Sequence, residues 1–307
     1  AKWRNSLKTF QEFQAACGKS GFDLDLGVHL KNLVAFATGQ SRFATVGGLD
    51  LDRLKEGWAA SRDGMEFALN FVKSNVGIDS PTLLSSPFLL IALGYFGHKR
   101  EYELTAEESA RLRYWVLVAN AKGRYSRGSS ETILDQDLAT LRKGGGAQEM
   151  VDRLRQQVGR LDIEPEELEG RNQRSALFKT MFLAFRAAGS KDWRSQVAIA
   201  LSHSGTRDKL QFHHIFPKAL LKKASYTGRE ADDIANLCFI GGKTNRQISD
   251  KSPAQYFPQI EAKSGPGVFA AQCIPTNPAL LATDDYKAFL KDRRVRIAAR
   301  LNEYLAG

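Results

Sequence analysis

Apolar residues three and four positions apart dominate the first two thirds of the chain and predict a succession of amphipathic helices. The first covers Lys8–Ala16, with Phe10, Phe13 and Cys17 on one side. The stretch Leu49–Val76 carries Leu51, Leu54, Trp58, Phe67, Leu69, Phe71 and Val72 and reads as two helices broken near Ser61–Gly64. Ser80-Pro81 opens an apolar helix running towards Tyr95, and Ser86-Pro87 repeats the signal, so that helix restarts or kinks there. Thr105-Ala106-Glu107-Glu108 is a capping box ahead of Leu112, Trp115 and Val116. Gly123–Ser130 reads as a loop, with Ser130 capping a helix through Leu134, Leu138 and Leu141. Gly144-Gly145-Gly146 breaks the chain before helices over Ala147–Val158 and Arg174–Ala188. All of these aromatic and aliphatic positions have core spacing, and none before residue 200 carries chemistry beyond packing.

The texture changes after residue 200. Lys209–His213 alternates as a short strand that Ile215-Phe216-Pro217 ends, and Asn236–Ile240 reads as a second strand. Gly241-Gly242 makes a turn, Lys243–Ser249 fits a short helix, and Ser252-Pro253 opens another through Ile260. Thr283 caps an amphipathic helix with Asp284 and Asp285 in its first turn. Tyr286, Phe289, Leu290, Ile297, Leu301 and Leu305 would line the buried side of that helix. The predicted class is mainly α (α+β), helical bundles plus one small strand–strand–helix module near the C-terminus.

Composition narrows the function classes. The 307 residues are 43% hydrophobic and 25% charged, which fits a globular chain with a sizeable core. The longest apolar stretch, Leu83–Phe96, is about one buried-helix length, so no membrane span is expected, and no secretory leader is read. Cys17, Cys238 and Cys273 are odd in number and far apart, which argues against a disulfide scaffold and suits a reducing cytoplasm. Cys238, between Leu237 and Phe239, reads as a small buried hydrophobe. The net charge is +10, and Leu201–Gly307 holds 16 Lys/Arg against 10 Asp/Glu, a weak pointer to a polyanionic partner. The chain opens on Ala1-Lys2-Trp3 without Met, which suggests a piece of a longer protein.

Three of the five histidines fall in His203–His214, and two are adjacent, His213-His214. Neighbouring side chains on a strand point to opposite faces, so the two rings take different tasks. A neutral imidazole serves either as a metal ligand or as a general base near neutral pH. Asn236 and Asn245 add amide oxygens without charge. One His, one amide oxygen and several waters would make an under-filled site that suits magnesium, or manganese, better than structural zinc. His203 reads as a surface residue, and His29 and His98 as structural.

The segment Phe212-His213-His214-Ile215-Phe216-Pro217-Lys218, with Ala235-Asn236-Leu237 and Lys243-Thr244-Asn245-Arg246, strongly resembles the HNH, or ββα-metal, nuclease motif. The motif has a D/E/H-H-I-x-P strand, an Asn opening the second strand, and an Asn or His on the helix. The resemblance implies a metal-dependent endonuclease that nicks double-stranded DNA. It makes His214 the general base, His213 and Asn245 the metal ligands, and Asn236 a catalytic-site residue that fixes the histidine loop. Asn245 stands where many relatives have His. Lys218, Lys243, Arg246 and Lys251 would contact backbone phosphates, while the run Lys291–Arg296 reads equally well as a solvated face. Trp115, Gly123-Arg124-Tyr125-Ser126, Ser129-Ser130 and Asp135–Leu141 resemble the helical middle of GmrSD-type and SspE-like bacterial anti-phage restriction effectors. This implies an upstream nucleotide-hydrolysing domain, whose D-G-Q-Q-R motif is not in this sequence. Residues 1–125 would then be a helical tail of that domain and 126–307 the nuclease region, with the HNH module at about 205–260. The alternative is a catalytically silent DNA-binding or regulatory module that retains the HNH fold.

Overall fold

Two five-residue strands carry the sheet of the described residues, and the other long regular elements are helices, so the class is mainly α with a small antiparallel sheet. The computed structural model describes residues 6–307, and the opening Ala1-Lys2-Trp3 lies outside them. No described helix is long and apolar enough to cross a membrane. The chain divides into two units, one ending at Leu161 and the other Asp162–Gly307.

The first unit holds α1 (Ser6–Lys19), α2 (Leu26–Thr38), α3 (Leu51–Phe71), α4 (Phe88–Lys99), α5 (Ala106–Lys122), α6 (Ser130–Arg142) and α7 (Ala147–Val158). The expected break near Ser61–Gly64 does not occur, because Gly64 is a packing residue. A Cβ there would lie 2.2 Å from Phe36 Cζ, and one on Gly94 would lie 2.5 Å from Gly64 O, so these glycines let α3 and α4 approach closely. Ser61 contributes by donating to Trp58 O within the helix. At Ser86-Pro87 the chain restarts: a short 3-10 turn over Pro81–Leu83 precedes α4. The capping box at Thr105 and Glu108 opens α5 as its sequence implies. Ser129, one residue before the expected Ser130, caps α6 by accepting from Thr132 N–H.

The division falls after Leu161 and not near residue 125. The turn Gly123–Ser126 is tied to α6 and α7 by a buried polar cluster. Arg124 gives two bonds to Asp137, at 2.7 and 2.5 Å, and a third to Gln157 at 2.8 Å. Tyr125 Oη donates to Asp137 at 2.5 Å. The helices either side of residue 125 therefore share one core, with Trp115, Leu138 and Met150 fully buried.

The second unit runs α8 (Ala176–Ala187), α9 (Gly205–Asp208), β1 (Leu210–His214), α10 (Lys218–Lys223), α11 (Gly228–Ala231), β2 (Leu237–Gly241), α12 (Gly242–Ile248), α13 (Pro253–Ser264) and α14 (Tyr286–Ala306). β1 and β2 are antiparallel, with Leu210 opposite Gly241, Phe212 opposite Phe239 and His214 opposite Leu237. Phe178 and Phe182 of α8 cover Phe239 at 5.1 and 5.2 Å between ring centroids. All six positions assigned to the inner face of α14 are buried. Arg293 is buried too, against the reading of its run as solvated. Its guanidinium donates to Ala235 O, Leu237 O and Gln272 O at 2.8–3.0 Å and so anchors the start of β2. Cys238 is buried, as its apolar neighbours suggest.

Candidate functional site

Period-two alternation along β1 turns His213 and His214 to opposite faces. His213 faces α12. The helix starts directly on β2, and Asn245 lies one turn into it, so its amide meets the strand. His213 Nδ1 and Asn245 Oδ1 stand 2.7 Å apart. The sharp strand-to-helix passage needs glycine at 242, where a Cβ would come within 2.5 Å of Thr206 O. Asp192 holds this turn from outside. Its carboxylate accepts from Gly241 N–H at 2.7 Å and from the Thr244 hydroxyl at 2.8 Å. It also accepts from Arg194 N–H, Ser195 N–H and the Ser195 hydroxyl at 2.8–3.1 Å. Burial works to raise its pKa, but these donors prevail and hold the carboxyl below its ordinary range.

His213 is only 4% exposed, and burial pushes its imidazole down to about 4, so it stays neutral. Trp193 and Tyr256 present ring edges to it, and its Nε2 has no hydrogen-bond partner among the described residues. With its proton on Nε2, a neutral imidazole turns the Nδ1 lone pair towards the amide oxygen, and the two make a hard-ion donor pair. Two neighbouring ligands of an octahedral magnesium stand about 3 Å apart, close to the separation found here. The residues therefore fit such an ion. No group of three or more His, Cys, Asp or Glu side chains suited to a metal occurs among the described residues.

His214 turns the other way, with a quarter of its side chain exposed. Its Nε2 meets Asp232 Oδ1 at 2.9 Å, which directs Nδ1 as the nitrogen that can meet water. Burial lowers its pKa, and the Asp232 hydrogen bond works against that shift. Lys218 Nζ reaches the same Asp232 oxygen at 2.7 Å. The Lys218 ammonium, half exposed, thus also supports the carboxylate that orients the base. Arg246 donates to Thr206 O, while Lys243 and Lys251 are exposed.

Asn236 is fully buried. Its Oδ1 accepts from Phe216 N–H at 2.8 Å, and its Nδ2 donates to Phe216 O and Ala231 O at 3.1 and 2.9 Å. It fixes the loop after the histidines, as expected, but as a positioning residue with no face on the site rather than a catalytic one. Sequence reasoning missed Asp232, Asp192 and Gln272. The last brackets Phe239 by accepting from its N–H and donating to its carbonyl, both at 2.8 Å, and so completes the outer edge of β2. Only Asp232 left a trace, as an acidic residue four before Asn236 in the loop that joins the strands.

No family model matches the chain. A segment of 61 residues, a fifth of the chain, is 38% identical to an uncharacterized protein of Methanocaldococcus jannaschii. The match spans about a tenth of that protein's length.

Proposed function

We propose that the second unit is a metal-dependent HNH endonuclease that nicks double-stranded DNA. The observation that carries this reading is the meeting of His213 and Asn245 at the end of β1, where the adjacent His214 is oriented by Asp232. His213 and Asn245 would hold magnesium or manganese, which when bound would supply charge neutralisation for the phosphate and the departing oxygen. His214 Nδ1 takes a proton from water, and the oxygen attacks phosphorus in line with the 3′-oxygen. The P–O3′ bond breaks, the 3′-oxygen gains a proton from solvent, and the ends are 5′-phosphate and 3′-hydroxyl. Asp232 keeps the ring in the tautomer with Nδ1 unprotonated and supports the imidazolium that forms. Asn236 keeps the loop Ile215–Pro217 from shifting the base. One such site cuts one strand.

By resemblance, the biological setting is bacterial anti-phage restriction in the cytoplasm, with phosphorothioate or other modified DNA sensed by an upstream nucleotide-hydrolysing domain. The test is a supercoiled plasmid incubated with magnesium or manganese, read as conversion to the open circle. His214→Ala is expected to cut about 10²–10⁴-fold more slowly with folding intact. Salt-sensitive DNA binding in EDTA without any metal-stimulated nick would instead identify a silent binding module and overturn the catalytic reading.

A further inference from the structure

We propose that the small cavity beside the first turn of α12 seats a second backbone phosphate of the duplex, next to the one cut at His214. This rests on the DNA-cleaving reading and specifies how that substrate is held. The cavity, about 130 Å³, lies against Thr244, the residue before Asn245. Successive residues of a helix point about 100° apart. One residue of this turn therefore faces the cavity while the next faces His213, and a strand laid across the turn meets both.

Arg194, Arg207, Lys243 and Lys263 line the cavity, with Asp192 and Asp208 as the opposing charges. Asp192 is spent on the five donors that hold the α12 turn. Asp208 stands 3.9 Å from Arg207, a loose pair of exposed groups. Two of the four cations therefore remain uncompensated. Arg194 Nε is buried and has no hydrogen-bond partner among the described residues. A buried guanidinium donor without an acceptor is costly, and a phosphodiester oxygen supplies both the acceptor and the missing negative charge. The cations are long, partly exposed side chains, a setting for a polymer backbone that passes by rather than a small ion held on all sides.

The experiment measures binding of the full chain to a fluorescein-labelled duplex in EDTA, by anisotropy over a range of chloride concentrations. The double variant Arg194→Gln with Lys263→Gln is compared with Arg296→Gln plus Arg300→Gln, an equal loss of charge from α14. The first pair should make the slope of log affinity against log salt shallower by about one to two, while the second pair leaves it near the parent's. Equal slopes for both pairs, or no change in either, would overturn the seat. So would displacement of the duplex by inorganic phosphate beyond matched ionic strength, which would assign the cavity to a free anion. Circular dichroism melts confirm that each variant is folded. Because binding is read without metal, a protein that binds through these residues yet never nicks would sink the cleavage reading alone.

Discussion

The two units bury charge in opposite ways. In the first, Arg124, Asp137 and Tyr125 are buried together and exposed Gln157 closes their edge, so that the guanidinium and both carboxylate oxygens have partners. In the second, the polar groups of β1 and α12 are held as firmly but not closed. Among the described residues His213 Nε2 and Arg194 Nε have no hydrogen-bond partner, and His214 keeps one nitrogen free of Asp232. A closed set fixes the path of the backbone, whereas an open one retains bonding capacity that something else can use. Asp137 and Asp232 make the contrast concrete: the first ends a network, and the second holds a ring whose other end points outward.

The sharpest way to break the contrast is to open the closed set. Asp137→Ala leaves the Arg124 charge buried and unpaired and should cost about 3–5 kcal/mol of stability. Urea unfolding followed by circular dichroism measures it. Replacing Arg124 and Asp137 together by apolar residues of similar volume should recover most of the loss. If the single variant were as stable as the parent, the cluster would not be what ties the Gly123–Ser126 turn to α6 and α7.

A smaller loss is expected at the hinge of the open set. Asn236→Ala removes three hydrogen bonds and strands the N–H and carbonyl of Phe216, for about 2–4 kcal/mol. It should also lower nicking more than its stability loss accounts for at a temperature where the variant is folded, because the loop after His214 loses its anchor. Asn236→Asp retains the acceptor for Phe216 N–H and should keep part of both. Activity that tracks only the folded fraction would mean that the loop does not position the base.

How much of this was legible in the sequence follows from the range of each interaction. The His213–Asn245 pair was legible only through the resemblance to the HNH motif, since the two lie 32 residues apart in sequence, whereas the capping boxes are local signals. Asp192 was not, since its partners Gly241 and Thr244 lie some fifty residues on, and a lone Asp before Trp193 looks like any turn residue. Gly64 read as part of a helix break because helix propensity is local, whereas its use is a close approach to Gly94 of a second helix. Arg293 was within reach. It lies four residues from both Phe289 and Ile297, on the apolar side of α14, and the charge of its neighbours masked that position.

The smallest predicted effect concerns acid, and it separates a closed polar set from a merely buried titratable ring. His29 of α2 is buried, its two ring nitrogens have no hydrogen-bond partner among the described residues, and Phe13 meets it edge-on. Desolvation alone lowers its pKa from the ordinary value of 6.5. In the unfolded chain the ring takes up a proton as pH falls through that value, while the folded protein resists it. Below about 6.5 the unfolded state therefore binds more protons, and stability declines until the folded ring also titrates. His98, lowered by burial and by Lys99, adds in the same direction. His29→Phe removes one of these contributions, leaving those of His98, His213 and His214, and fits a site already lined by Phe13. Thermal melts of parent and variant between neutral and mildly acid pH should show a shallower decline for the variant. Parallel curves would mean that the ring is hydrated or protonated within the fold, and that burial at α2 does not set its charge.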